Sequence, residues 1–279
     1  MTYNELWHLL APLYGDGEAK AIARMVYDVR FGLSLSDIYI GKDTQLSANS
    51  QAELRRFAER LLQQEPVQYV LGQADFCGRT FLVNKHVLIP RPETEELCQW
   101  VASLTPSSLK GKEAKLLDIG TGSGCIAITL ASMYPKAKVT AWDISREALG
   151  VAHENARRQN VNVTLEQVDA LNISHISQWD LIISNPPYII NKERARMEAN
   201  VLDYEPHTAL FVPDSDPLLF YHAIAQYGRQ ALKEDGWLFF EMNPLYNQEM
   251  TEMLSTMSYH DIEIKNDQFG KQRMIKARR

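Results

Sequence analysis

Along the first 70 residues the apolar positions recur at helical spacing. Leu6, Leu9, Leu10 and Leu13 form one stripe, and Ile22, Met25, Val26 and Val29 form another. A third begins where Ser50 and Glu53 have the spacing of a capping box, with Leu54, Phe57, Leu61 and Leu62 as the buried face behind it. This pattern predicts a small helical bundle. Between Leu71 and Val87, Gly72, Gly78 and the alternating Phe81 and Val83 predict a short hairpin, after which Pro90 and Pro92 bracket a rigid turn. From residue 115 the texture changes to short apolar runs at 116–119, 139–142, 181–183 and 237–240, separated by helix-like segments. Such runs fit strands buried on both faces of a parallel sheet. At the end of the chain Ile262 and Ile264 oppose Met274 and Ile275 across a polar loop holding Gly270, which predicts a closing antiparallel hairpin. The expected organisation is a helical domain at 1–75, a hairpin linker at 76–89 and an α/β domain at 90–279.

Composition narrows the class without naming it. A chain of 279 residues, 45% hydrophobic and with a net charge of −6, is an ordinary globular protein, neither disordered nor fibrous. Met1 to Leu13 has no basic start followed by an apolar stretch, and no apolar run approaches the roughly 20 residues of a membrane span. A soluble, cytoplasmic protein is expected. Cys77, Cys98 and Cys125 are odd in number and far apart in sequence, and the seven histidines make no ligand spacing, so reduced thiols and no metal are expected.

The chemistry is concentrated after the predicted strands. The first runs into Gly120-Thr121-Gly122-Ser123-Gly124 and then an apolar helical segment. Glycines in a strand-to-helix turn let the backbone approach a ligand, and the helix start offers free N–H groups. The second strand ends at Asp143, at the spacing of an acid that accepts ribose hydroxyls, while Ser145 is placed to cap the helix that follows. A third strand, near Val163 to Val168, ends at Asp169-Ala170, where an acid suits an adenine amino group and a surface-loop aspartate is the equal alternative. The fourth opens into Asn185-Pro186-Pro187-Tyr188. Two prolines remove two N–H donors, so the loop presents acceptors. Its site fits a planar NH2 group held by the Asn185 side-chain oxygen and the Pro186 carbonyl, with Tyr188 over the flat face. A nucleotide-like donor meeting an NH2 acceptor points to methyl transfer from S-adenosylmethionine, leaving S-adenosylhomocysteine. Asn185 and Pro186 are the catalytic candidates. Asn185, Pro186, Pro187 and Tyr188 are the substrate-binding set, and Gly120 to Gly124, Asp143, Asp169, Ala170 and Asn185 the cofactor-binding set.

With these motifs the chain resembles the class I S-adenosylmethionine-dependent methyltransferases, and within them the release factor glutamine methyltransferases of the PrmC or HemK family. The resemblance covers most of the chain. It extends to Val87-Leu88-Ile89-Pro90-Arg91-Pro92-Glu93-Thr94-Glu95, to the stretch from Tyr69 to Gly78, to Tyr204-Glu205-Pro206 with Ala209-Leu210, and to Gly270 through Arg273. It implies a Rossmann-like sheet of seven strands with the last antiparallel, an N-terminal all-α domain and a linking β-hairpin. It further implies that the helical domain and hairpin help dock a class 1 peptide chain release factor, whose Gly-Gly-Gln glutamine is methylated on its side-chain amide. A monomer is expected. Three stretches depart from the family pattern. Ala170 stands where many relatives have a bulky or aromatic residue near adenine, which implies a weaker cofactor grip. The stretch from Phe211 to Asp216 replaces a glycine-richer one, and Glu241-Met242-Asn243 replaces Glu-aliphatic-Gly. Neither of these two is expected to touch the residues assigned to catalysis.

Two other readings use the same residues. An Asn-Pro-Pro-Tyr loop also suits the exocyclic amine of adenine or guanine in a nucleic acid. Against that, residues 1–75 hold seven Lys and Arg against ten Asp and Glu, where a phosphate-gripping domain should be basic, and the basic residues after Lys265 read as a solvated end. No dedicated nucleic-acid binding is expected. A nucleotide-binding scaffold or nicotinamide oxidoreductase would suit the sheet but leaves Asn185 unexplained.

Overall fold

The computed structural model describes residues 1–104, 113–174 and 177–279. The chain divides into two compact units, Met1–Gln73 with Glu198–Tyr204, and Ala74–Met197 with Glu205–Arg279. Among the described residues no helix is long and apolar enough to cross a membrane.

The first unit is helical. Its helix α1, Tyr3–Phe31, starts in a capping box made by Thr2 and Glu5 and breaks direction at Gly15, whose φ is 75°. Helix α2 spans Ala48–Leu62. The core between them takes Leu6, Leu10, Ile22, Val26, Leu54 and Leu61. Each apolar stripe is narrower than the sequence suggests, because Leu9, Leu13, Met25 and Val29 remain 37–42% exposed. These four lie three positions from a buried residue, about 60° round the helix, and so fall on the rim of the packed face. The start of α2 also differs. Ser47 is its N-cap, accepting from the Ser50 N–H at 3.1 Å, while Glu53 is drawn off to Arg30 at 2.8 Å.

The hairpin pairs Gln73–Phe76 with Arg79–Leu82. Cys77 and Gly78, at φ 49° and 70°, supply the two left-handed residues that a tight hairpin turn needs. Cys77 and Cys98, far apart in sequence, come close enough in the fold for each thiol to shift the other's pKa.

The second unit is built on a seven-stranded sheet: β1 Lys115–Ile119, β2 Lys138–Asp143, β3 Val163–Gln167, β4 Trp179–Ser184, β5 Leu232–Glu241, β6 His260–Asn266 and β7 Gln272–Arg278. The spatial order is β6-β7-β5-β4-β1-β2-β3, and β7 alone runs against its neighbours. Helices α3 Pro92–Leu104, α4 Cys125–Met133 and α5 Arg146–Gln159 contribute Leu97, Leu130 and Ala156 to the core on one face. Helices α6 Leu219–Ala231 and α7 Asn247–Thr256 contribute Ile224 and Leu254 on the other. With both faces covered, the central strands carry consecutive buried apolar residues, such as Leu116-Leu117 and Leu181-Ile182-Ile183, rather than alternating ones. The chain leaves β1 toward β2 on one side and returns with β4 on the other. That reversal opens a crevice at the carboxyl ends of β1, β2 and β4, the usual ligand position in such sheets.

Candidate active site

The crevice is a cavity of about 380 Å³, within the range of small-molecule sites. The glycine turn after β1 forms its floor. Gly120 and Thr121 both donate their N–H to the Trp142 carbonyl at 2.9 Å, which ties the turn to β2. Gly124 shows why this position is glycine. Its φ is 82°, and a Cβ would lie 3.0 Å from Ile128 Cδ1 and 3.1 Å from Ala152 Cβ, so its bareness lets α4 and α5 close together. Beneath the turn Asp118 is wholly buried. One of its oxygens accepts from Thr121 Oγ1 at 2.6 Å and the Ala127 N–H at 3.2 Å, and the other has no partner. Burial pushes its pKa up to about 7, against the pull of those hydrogen bonds.

Asp143 ends β2 and reaches back to the turn. Its Oδ2 accepts from the Gly122 N–H at 2.8 Å and its Oδ1 from the Ser145 N–H at 2.9 Å. Burial raises its pKa and the backbone N–H donors oppose that rise. A carboxylate has about four lone-pair positions, so these N–H groups do not exhaust its capacity to accept from a hydroxyl. Ser145 does the capping, accepting from the Ala148 N–H at 3.1 Å. Beyond β3, Asp169 accepts from the Leu171 N–H at 2.9 Å and from Asn172 Nδ2 at 2.6 Å, forming its own turn at the cavity edge beside Ala170.

At the other end stands the loop after β4. Asn185 Nδ2 donates to Thr94 Oγ1 at 3.1 Å, and Thr94 Oγ1 donates to Glu241 Oε2 at 2.6 Å. Glu241 Oε1 accepts from the Tyr188 hydroxyl at 3.0 Å, which in turn accepts from Arg273 Nη1 at 3.4 Å. Glu241 is 2% exposed; burial raises its pKa, and the hydrogen bonds from Thr94 and Tyr188 act against the rise. Burial, then the neighbouring Glu241 charge, raises the Tyr188 phenol. Asn243 Nδ2 holds the same loop, donating to the Tyr188 carbonyl at 3.2 Å and to Glu193 at 2.9 Å.

Gly120, Thr121, Gly122, Ser123, Asp143, Asp169, Ala170, Asn185, Pro186 and Pro187 therefore share one cavity wall, while Gly124 and Tyr188 stand behind it. Two of the stretches that depart from the family pattern come closer than expected. Phe211 lines the cavity, Asn243 grips Tyr188, and Glu241 reaches Asn185 through Thr94. Sequence reasoning passed over Thr94, Ile144, Phe220 and Ile224 as cavity residues. Thr94 had a signal, since it lies inside the Val87–Glu95 signature; the apolar three had none beyond their period. That signature also has a structural partner. Glu205 accepts from the Ile89 N–H at 3.2 Å and from the Arg91 guanidinium.

Two domain families match the sequence: the PrmC N-terminal domain over residues 9–72 and the methyltransferase small domain over residues 101–203. The release factor glutamine methyltransferase of Bacteroides thetaiotaomicron is 46% identical over 97% of this chain and 96% of its own. The chain belongs to the release factor glutamine methyltransferase family. That of Flavobacterium psychrophilum is 40% identical over 96% of this chain and 94% of its own. A methyltransferase structure from Pyrococcus furiosus aligns with a TM-score of 0.53 at 17% identity, covering 83% of this chain and 98% of that one, and shares the fold.

A release factor glutamine methyltransferase uses S-adenosylmethionine, and the residues present fit it. No side chain at Gly120 or Gly122 obstructs the floor: a Cβ at Gly122 would meet nothing within 4 Å, and one at Gly120 only the Asn185 carbonyl at 3.9 Å. Asp143 offers its carboxylate at mid-cavity, and Ile144, 58% exposed, extends an apolar surface beside Ala170 for a flat base.

Proposed function

We propose that this enzyme methylates the side-chain amide nitrogen of the glutamine in the Gly-Gly-Gln motif of class 1 peptide chain release factors. The observation that supports the reading is that the Asp143 carboxylate and the Asn185-Pro186 loop line one cavity. S-adenosylmethionine, when bound, supplies a methyl group activated by its sulfonium. Gly120 to Ser123, Asp143, Asp169 and Ala170 would hold it, with Asp143 toward the ribose, while Gly124 shapes the turn from behind. Asn185 Oδ1 and the Pro186 carbonyl accept the two amide N–H bonds of the substrate, which fixes the nitrogen in line and raises its electron density. An amide nitrogen is a weak nucleophile, so stabilising the positive charge that develops there is the main task. Pro187 and Tyr188 shape the loop around the amide. Among the described residues the acids lining the cavity are Asp143 and Asp169, both at the cofactor end, so the surplus proton leaves to water. The helical residues 1–75 and the hairpin dock the release factor, and the enzyme works as a cytoplasmic monomer with no dedicated nucleic-acid surface.

The test is transfer of labelled methyl from S-adenosylmethionine to purified release factor, bulk RNA and DNA in parallel, with peptide mass mapping. Label on the Gly-Gly-Gln glutamine, lost by about 100-fold or more in Asn185→Ala with cofactor binding kept, is the expected outcome. Label on nucleic acid alone overturns the proposal.

A further inference from the structure

A primary amide has one end that accepts and one that donates, and the two have nearly the same shape. For Asn185 to hold an NH2 group it must present its oxygen; presenting its own NH2 would set donor against donor. Nothing in the Asn-Pro-Pro-Tyr sequence settles which end faces the cavity.

The surroundings settle it. Both oxygens of Glu241 are engaged by hydroxyls, Thr94 Oγ1 at 2.6 Å and Tyr188 Oη at 3.0 Å; these bonds and the nearby Arg273 charge favour the ionised carboxylate, which only accepts. Tyr188 accepts from Arg273 Nη1 at 3.4 Å, so its own proton points to Glu241. Thr94 has a single hydroxyl proton, and it is spent on Glu241. Toward Asn185, then, Thr94 is an acceptor, and the group it faces at 3.1 Å is the donating NH2. The amide oxygen is turned to the other side.

Resting on the function proposed above, we propose that Thr94 and Glu241 are positioning residues: a directional relay from the buried carboxylate, through the threonine hydroxyl, locks the Asn185 amide with its oxygen toward the substrate nitrogen. Three segments far apart in sequence, at the start of α3, the end of β5 and the end of β4, meet to do this. Neither Thr94 nor Glu241 needs to touch the reacting atoms. The relay also bears on selectivity, since an oxygen-first Asn185 favours an acceptor side chain bearing NH2 over one bearing a carboxylate.

The test is a double-mutant cycle on the full-length enzyme with release factor as methyl acceptor. Thr94→Val is expected to lower kcat roughly 10- to 100-fold with the dissociation constant for S-adenosylmethionine within about twofold of wild type. Thr94→Ser, which keeps the hydroxyl, should return kcat to within about threefold. The decisive arm is Thr94→Val added to Asn185→Ala: if the threonine acts through the asparagine, the double variant loses no more than about a further twofold. Losses that multiply, or a serine variant as impaired as the valine one, overturn the relay while leaving the methyltransferase assignment intact. Wild-type enzyme that labels no release factor overturns both. Should the valine variant not bind cofactor, Thr94→Ala carries the same cycle.

Discussion

Asp143 combines two duties in one carboxylate. It accepts N–H groups from Gly122 and Ser145 and so holds the turn in shape, while it also lines the cavity. Asp143→Ala should therefore raise the dissociation constant for S-adenosylmethionine by about tenfold or more, with a smaller change in kcat at saturating cofactor. Titration calorimetry and initial rates at saturation separate the two. The cysteines give a second prediction at this scale. Cys77 is half-exposed with its pKa lowered by the neighbouring Cys98 thiol, whereas Cys98 is buried and Cys125 is pushed up to about 12 by burial. Iodoacetamide at pH 7.5 should modify Cys77 well before the other two, as read by mass mapping. Most of the cavity-lining positions proposed to meet ligands were legible, because glycine, acid and proline positions leave type-specific marks in sequence. Thr94 and Glu241 stood inside recognisable stretches, but their pairing was not legible, because it is a hydrogen bond across a sequence separation of 147.

Among elements, the segment leading into α3 is pinned by a buried charge. Glu205 is 1% exposed on its side chain and Arg91 33%. Arg91→Ala leaves the carboxylate without its cation, at a cost of about 2–3 kcal/mol, the lower end for a broken buried pair because the arginine is partly solvated. Denaturant unfolding followed by fluorescence measures this. The strands were legible because a sheet covered on both faces writes continuous apolar runs, as in Leu181-Ile182-Ile183, all 0% exposed. Helix edges were less so. Ser47 and Ser50 are both able to cap, and the choice depended on Arg30 claiming Glu53. The exposed rim of α1, with Leu9 and Met25, was unreadable for a related reason: period locates a face but not how far a neighbouring helix covers it.

For the whole molecule, Asp118 couples stability to pH. Its ordinary value is 3.8 and burial takes it to about 7. Between those values the folded protein keeps a proton that the unfolded chain has released, so stability is greatest at the acid side, declines as pH rises from about 3.8 to about 7, and is level above that. The full change is roughly 4 kcal/mol. Asp118→Asn should remove that slope, which chemical denaturation at pH 5.5, 7 and 8.5 compares directly against wild type. The same region bears on motion. Asn155, 1% exposed, accepts from the Leu82 N–H at 2.7 Å and donates to the carbonyls of Leu82 at 3.0 Å and Ser123 at 2.9 Å. One side chain thus clasps the outgoing strand of the hairpin and the cofactor turn at once. The two cannot breathe separately: S-adenosylmethionine that quiets the turn should also slow deuterium uptake at the amide of Leu82, a residue outside the ligand's reach, and Asn155→Ala should let that amide exchange at the same rate with or without cofactor.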